Sequence, residues 1–195
     1  MKCLVVVAHP VATSFVSTLA AAAIEAAQLN GHDVSVQDLY QDGFQPALTY
    51  IERQSHYSGF NRSALANEIE KLQEAEVLVL VFPTWWFGFP AILKGWFDRV
   101  WAPEVAFDHA TDLGAIKPRL HKLKRTIAIT TLGSPWWVDW LIMRRPVRRL
   151  LKTAILGTCA PKCQLDFMSF YKTEKLSADA VATAIARVKA VVSTF

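Results

Sequence analysis

Three short stretches of this chain concentrate groups able to hold a planar, anionic ligand. The first is His9-Pro10-Val11-Ala12-Thr13-Ser14-Phe15. Its Thr13 and Ser14 hydroxyls stand where a helix is expected to begin. A helix N-terminus presents free N–H groups and a positive dipole end, which suits phosphate. The stretch has neither the G-x-G-x-x-G of a dinucleotide fingerprint nor the G-x-x-x-x-G-K-[ST] of a P-loop. Two readings stay open: a phosphate site, or a plain N-cap beside a loop histidine. The second stretch sets Thr84, Trp85, Trp86, Phe87, Gly88 and Phe89 between Pro83 and Pro90. So many aromatics are costly if exposed, and Pro and Gly shape the loop. It is either core packing or a wall for a flat heteroaromatic ring. The third, Thr130-Thr131-Leu132-Gly133-Ser134-Pro135-Trp136-Trp137, repeats the theme of hydroxyls, glycine and aromatics.

Each stretch follows an apolar run of strand length: Leu4 to Ala8, Val77 to Phe82, and Ile127 to Leu132. All three are apolar at successive positions, the mark of strands buried on both faces of a parallel sheet. Weaker strands fit Asp33 to Leu39 and Lys162 to Met168. Helical patterns fill the gaps: Phe15 to Leu29 with a stop at Asn30-Gly31, Arg62 to Glu74, Ala91 to Trp101, and Ser177 to Val192 with Ser177 as N-cap. The order predicts one α/β domain over residues 1–195, with five parallel strands between two helical layers. Ligands of such sheets bind at the carboxyl ends of the strands, where the three stretches lie.

Composition narrows the class. Of 195 residues, 52% are hydrophobic and 19% charged, which excludes a disordered chain. Mean hydropathy is +0.22, yet no apolar run approaches the roughly 20 residues of a membrane span. The N-terminal apolar run is cut at His9-Pro10 with no small-residue cleavage site, so a cytoplasmic protein is expected. Three cysteines are too few for a disulfide scaffold, and Cys159 and Cys163 lack partners for a metal site. A net charge of +4 permits anionic ligands without requiring nucleic acid.

The segment Phe82 to Val100, above all PAILKGWF from Pro90 to Phe97, closely resembles the NAD(P)H:quinone reductase family of flavodoxin-like flavoproteins. His9-Pro10 with Thr13-Ser14-Phe15, and Ile129-Thr130-Thr131 with Gly133, resemble that family's first and third flavin loops. Asp38-Leu39-Tyr40 and Phe44-Gln45-Pro46 resemble its second strand and the loop after it. The resemblance covers most of residues 1 to 135. It implies a flavodoxin-like three-layer sandwich, a bound FAD (or FMN), and a homodimer with sites at the subunit interface. It also implies hydride transfer from NADH or NADPH, through the flavin, to a quinone or similar acceptor, in a ping-pong sequence. By position, His9, Thr13, Ser14 and Phe15 would contact phosphate and ribityl. Pro83, Thr84, Trp85, Trp86 and Phe87 would wall the ring, with the N–H groups of Trp86 and Phe87 near N5 and O4. Thr130, Thr131, Leu132 and Gly133 would line N1 and O2, where donors stabilise negative charge.

The chain departs from that family at three places. Val16 stands where an Asn is common, and Leu132 where a Gly is common. The segment Ser134 to Val138 holds neither the Tyr nor the His that better-known members carry there, so no side-chain acid or base is assigned. Two other functions compete with this one. An electron-carrying flavodoxin fits poorly, because such proteins are acidic. A flavoprotein regulatory subunit of a potassium efflux system stays open. The cluster Arg144-Arg145-Pro146-Val147-Arg148-Arg149, with Lys152, would put Arg145, Arg148, Arg149 and Lys152 on one helical face. It reads as a solvated face, as a contact for cofactor phosphates, or as a site for nucleic acid or anionic lipid. The run Lys117 to Arg125 reads as an exposed loop.

Overall fold

The computed structural model describes residues 1–110 and 114–195. In chain order the elements are β1 (Lys2–Val7), α1 (Phe15–Leu29), β2 (Asp33–Asp38), α2 (Tyr50–Ser55), α3 (Ala66–Glu74), β3 (Val77–Pro83) and α4 (Ala91–Val100). Then come β4 (Phe107–Asp108), β5 (Lys117–Pro118), β6 (Arg125–Leu132), α5 (Pro146–Arg149), α6 (Gly157–Cys159), β7 (Gln164–Tyr171) and α7 (Ala178–Val192). Wide π-helical turns occupy Val138–Ile142 and Leu150–Leu156.

Five strands form an all-parallel sheet in the order β2-β1-β3-β6-β7. From β1 the chain first steps outward to β2 and then returns to the other side at β3. The order therefore reverses between β1 and β3, and the loops leaving those strands flank the reversal. β3 is buried at all seven positions, and β1 and β6 nearly so, as their unbroken apolar runs require. One core face collects α1 and α7, where Ala20, Ala23, Ala26 and Ala27 let α1 pack close to Val5, Val79 and Ile127. The other face collects α3 and α4 over Leu4, Leu80 and Phe82.

α4 is bolted down from within the chain. Its Arg99 Nε lies 3.1 and 3.0 Å from the two carboxylate oxygens of Glu52, and both side chains are buried. The Arg99 guanidinium also donates to the Gln45 carbonyl and sits 5.5 Å from the Phe44 ring centroid. Gly95 is needed here, since a Cβ would fall 2.2 Å from the Pro46 carbonyl oxygen. The broad apolar stripe of α4, Ile92, Leu93, Trp96, Phe97 and Val100, is buried in the core of the same chain.

Strand ends differ from the sequence reading by at most three residues, most at β7, which runs three residues past Met168. Arg62 to Glu74 begins with a 3₁₀ turn at Ser63–Leu65 rather than as one α-helix. Lys117–Pro118 pairs with Phe107–Asp108, and Leu120 and Leu123 are buried, so the Lys117 to Arg125 run is anchored.

Candidate functional site

The first loop is shaped by its own hydroxyls. Ser14 Oγ accepts from the Ser17 N–H at 3.1 Å and caps α1. Ser17 Oγ donates to the Val11 carbonyl at 3.1 Å, and His9 Nδ1 accepts from the Val11 N–H at 3.1 Å. The N–H groups of Phe15 and Val16 belong to the first turn, where no helical acceptor exists. Thr13 is exposed beside them. Phe15 meets Phe170 edge-on at 6.0 Å.

The second loop is a tight hairpin. Trp85 N–H bonds the Gly88 carbonyl at 3.2 Å, and Gly88 N–H bonds the Trp85 carbonyl at 2.9 Å. Between them Trp86 and Phe87 both take positive φ, 50° and 55°. That is the backbone of a two-residue primed turn, which bulky residues enter at a cost of about 1–3 kcal/mol each. The strain holds Trp86 clear of the core: its side chain is 100% exposed. Trp85 is half-exposed, with its ring 6.4 Å from His9. The aromatics thus divide, since Phe89 packs on Phe82 and Phe97 while the two tryptophans face outward.

The third loop is tied to the second. Thr84 Oγ1 lies 2.6 Å from Thr130 Oγ1, and the Thr84 N–H donates to the Thr131 carbonyl at 2.8 Å. The side chains of Pro83, Thr130, Thr131 and Leu132 are buried, so they brace the shelf from beneath. Gly133 is exposed at its rim, and the buried Ser134 Oγ has no partner.

One cluster was missed from sequence. β7 extends to Tyr171, opposite Leu132, and the Tyr171 hydroxyl donates to Asp139 Oδ2 at 2.8 Å. It also accepts from Trp140 Nε1 at 3.0 Å. Arg145 lies 4.2 Å over the Trp140 ring and 5.3 Å from Phe167, so it leaves the face expected to hold Arg148, Arg149 and Lys152. Burial, with the Asp139 carboxylate beside it, raises the Tyr171 pKa, and burial lowers that of Arg145. An aromatic at the carboxyl end of β7 was the available signal. Burial pushes the Cys3 and Cys159 thiols up to about 12, which leaves them unreactive. Among the described residues no three metal-ligating side chains converge. No described helix is long and apolar enough to cross a membrane. A surface cavity of about 370 Å³ beside β2 and α3 lies away from these loops.

The geometry is an open shelf at the reversal of a doubly wound sheet: unpaired helix N–H groups at one end, projecting tryptophans in the middle, a glycine rim at the other. Residues 1–192 match the protein family described as having a flavodoxin-like fold, and the chain belongs to that family. It is 35% identical over 152 residues to NAD(P)H dehydrogenase [quinone] 1 of Cavia porcellus, a match covering 68% of this chain and 54% of that protein. It is 35% identical over 120 residues to an NAD(P)H oxidoreductase of Haemophilus influenzae, covering 60% and 59%. The chain thus spans a little over half the length of these curated relatives. The solved structure of Smu.1420 from Streptococcus mutans superposes over all of both chains, with a TM-score of 0.81 and 27% identity.

Proposed function

We propose that this chain is an NAD(P)H-dependent oxidoreductase that uses a bound flavin, FAD or FMN, to reduce a quinone or similar small acceptor. One observation carries the reading: Trp86, wholly exposed on a strained turn, stands between a phosphate-ready helix end and a glycine-rimmed loop. A soluble domain has no packing reason to hold a tryptophan there. The donor set fits the group. Free N–H groups of Phe15 and Val16 with the Thr13 hydroxyl suit phosphate. Trp85, Trp86 and Phe87 offer apolar faces to a flat ring. Thr131, Leu132 and Gly133 offer backbone at the far edge, with the unpartnered Ser134 hydroxyl beneath.

When bound, a flavin would supply two-electron, hydride-level chemistry between NAD(P)H and the acceptor. The chain's own part is to bind, orient and polarise. His9, Ser14 and Phe15 shape the phosphate end. The Trp86 and Phe87 N–H groups sit on a turn whose backbone is fixed by the Trp85–Gly88 hydrogen bonds, so they would serve as preorganised donors. Thr84 and Thr130 lock the second and third loops together, so the ring wall and the rim keep one spacing. Electron donor and acceptor share one shelf in turn, which predicts ping-pong kinetics. We further propose a homodimer that covers the open shelf. The described cysteines are all free, which suits a reducing cytoplasm. The test is turnover: purified protein with added flavin, NADH or NADPH, and a water-soluble quinone. Quinone reduction that Trp86→Ala weakens supports the reading, and no reduction with either nucleotide and either flavin removes it.

A further inference from the structure

A second surface stands outside these loops. Trp140, Leu141, Ile142 and Met143 are four consecutive large apolar side chains, exposed by 49%, 67%, 62% and 38%. Immediately after them Arg144 and Arg145 take left-handed conformations, φ 55° and 50°, and Pro146 starts the next helix. The corner is fixed in place. Arg145 N–H donates to the Asp139 carbonyl at 2.7 Å, and its guanidinium stacks on Trp140. The turn therefore sets α5, with Arg148 and Arg149, and the π-helical turn after it, with Leu150 and Lys152, next to the exposed apolar run. Leu150 is itself 41% exposed.

The charge is one-sided. Residues 133–163 contain six cations and one acid, Asp139, which is buried and bonded to Tyr171. Arg144, Arg149 and Lys152 are exposed. A solvated basic face explains the cations but leaves four apolar side chains in water. A second copy of the chain would cover the apolar run, but a two-fold contact centred here sets five cations against five. Nucleic acid would meet the cations but gains little from Leu, Ile and Met. Apolar side chains ending in a tryptophan, rimmed by arginines, match the boundary between acyl chains and anionic headgroups.

We propose that the corner from Trp140 to Lys152 docks on an anionic lipid bilayer, with Trp140–Met143 in the headgroup–acyl boundary and Arg144, Arg149 and Lys152 on the headgroups. Docking itself is independent of the redox reading. Only its consequence, a site beside the membrane and a lipid-soluble acceptor, rests on it. The experiment is sedimentation of the full chain with vesicles of phosphatidylcholine, alone or with about one third phosphatidylglycerol. The protein should pellet with the anionic vesicles, stay in solution with the neutral ones, and be released by high salt. Leu141→Ser/Ile142→Ser should cut the partition roughly tenfold. Arg149→Gln/Lys152→Gln should do likewise, by about tenfold or more. All four side chains are exposed, so both variants should melt like the parent protein. Three results overturn the proposal: no pelleting with either vesicle, equal pelleting with both, or variants that leave vesicle binding intact while light scattering shows a dimer falling to monomers.

Discussion

Arg99→Ala should be among the most damaging single substitutions outside the site. The Arg99 and Glu52 side chains are 7% and 5% exposed. Removing the guanidinium strands a buried carboxylate and frees the Gln45 carbonyl it also holds. Breaking a buried pair this way costs about 3–5 kcal/mol, against at most about 1 for an exposed pair. In a chain of this size that lowers Tm by about 6–20 °C. Arg99→Leu/Glu52→Leu should recover most of the loss, because no lone charge remains. It should still lack the capping box in which Glu52 accepts the Thr49 N–H at 2.8 Å, worth about 1 kcal/mol. The pH dependence has a definite sign. Burial pushes the Glu52 carboxyl up, but the Arg99 and Thr49 hydrogen bonds outweigh it and the pKa is lowered. The pair's contribution is complete above the ordinary carboxylate range near pH 4–5 and is lost as pH falls through the lower folded value. The gap between parent and Arg99→Ala should therefore narrow below about pH 4. Urea unfolding at pH 7 and at about pH 3 measures both effects. A loss under about 1 kcal/mol at pH 7 would refute the argument, as would a gap that widens in acid.

Other expectations follow from single contacts. Gly95→Ala should destabilise by about 1–3 kcal/mol despite alanine's better helix propensity, because its Cβ meets the Pro46 backbone; a neutral melt would show that segment 43–49 yields freely. Ser14→Ala should cost about 1 kcal/mol through the lost cap and should also weaken flavin retention; unchanged retention would move the phosphate end elsewhere. Trp86→Ala should leave the melt within about 0.5 kcal/mol, since the side chain touches no core, yet lower flavin affinity. Initial rates with varied NAD(P)H and quinone should give parallel double-reciprocal lines, and intersecting lines would mean that both substrates bind together.

The legible part of the fold was the part with a strong period. β1, β3 and β6 are apolar at nearly every position, so their strand type and parallel partners could be read directly. β7 is an edge strand of intermediate burial, and its pattern fades before Tyr171. Its last three residues were lost, and with them the Tyr171–Asp139 contact. The stretch Val138 to Leu156 winds partly in π-turns, whose period is not 3.6, so no amphipathic stripe marks it. α2 was missed although Thr49 and Glu52 spell a capping box, because only two turns of mostly polar residues follow. The candidate site residues were legible as candidates because each stretch lies at the carboxyl end of a buried strand. Their division of labour was not readable: which threonines brace from below and which tryptophans project depends on the hairpin at Trp86-Phe87 and the Thr84–Thr130 tie.

The central claim is that the three loops hold a flavin. The direct measurement is the visible spectrum of the purified full chain after equilibration with FAD or FMN and removal of excess, with the released ligand weighed by mass spectrometry. The account predicts a yellow protein carrying one flavin per chain, bleached by NAD(P)H without oxygen and restored by a quinone. A colourless protein that retains neither flavin at concentrations on the order of tens of micromolar would contradict it.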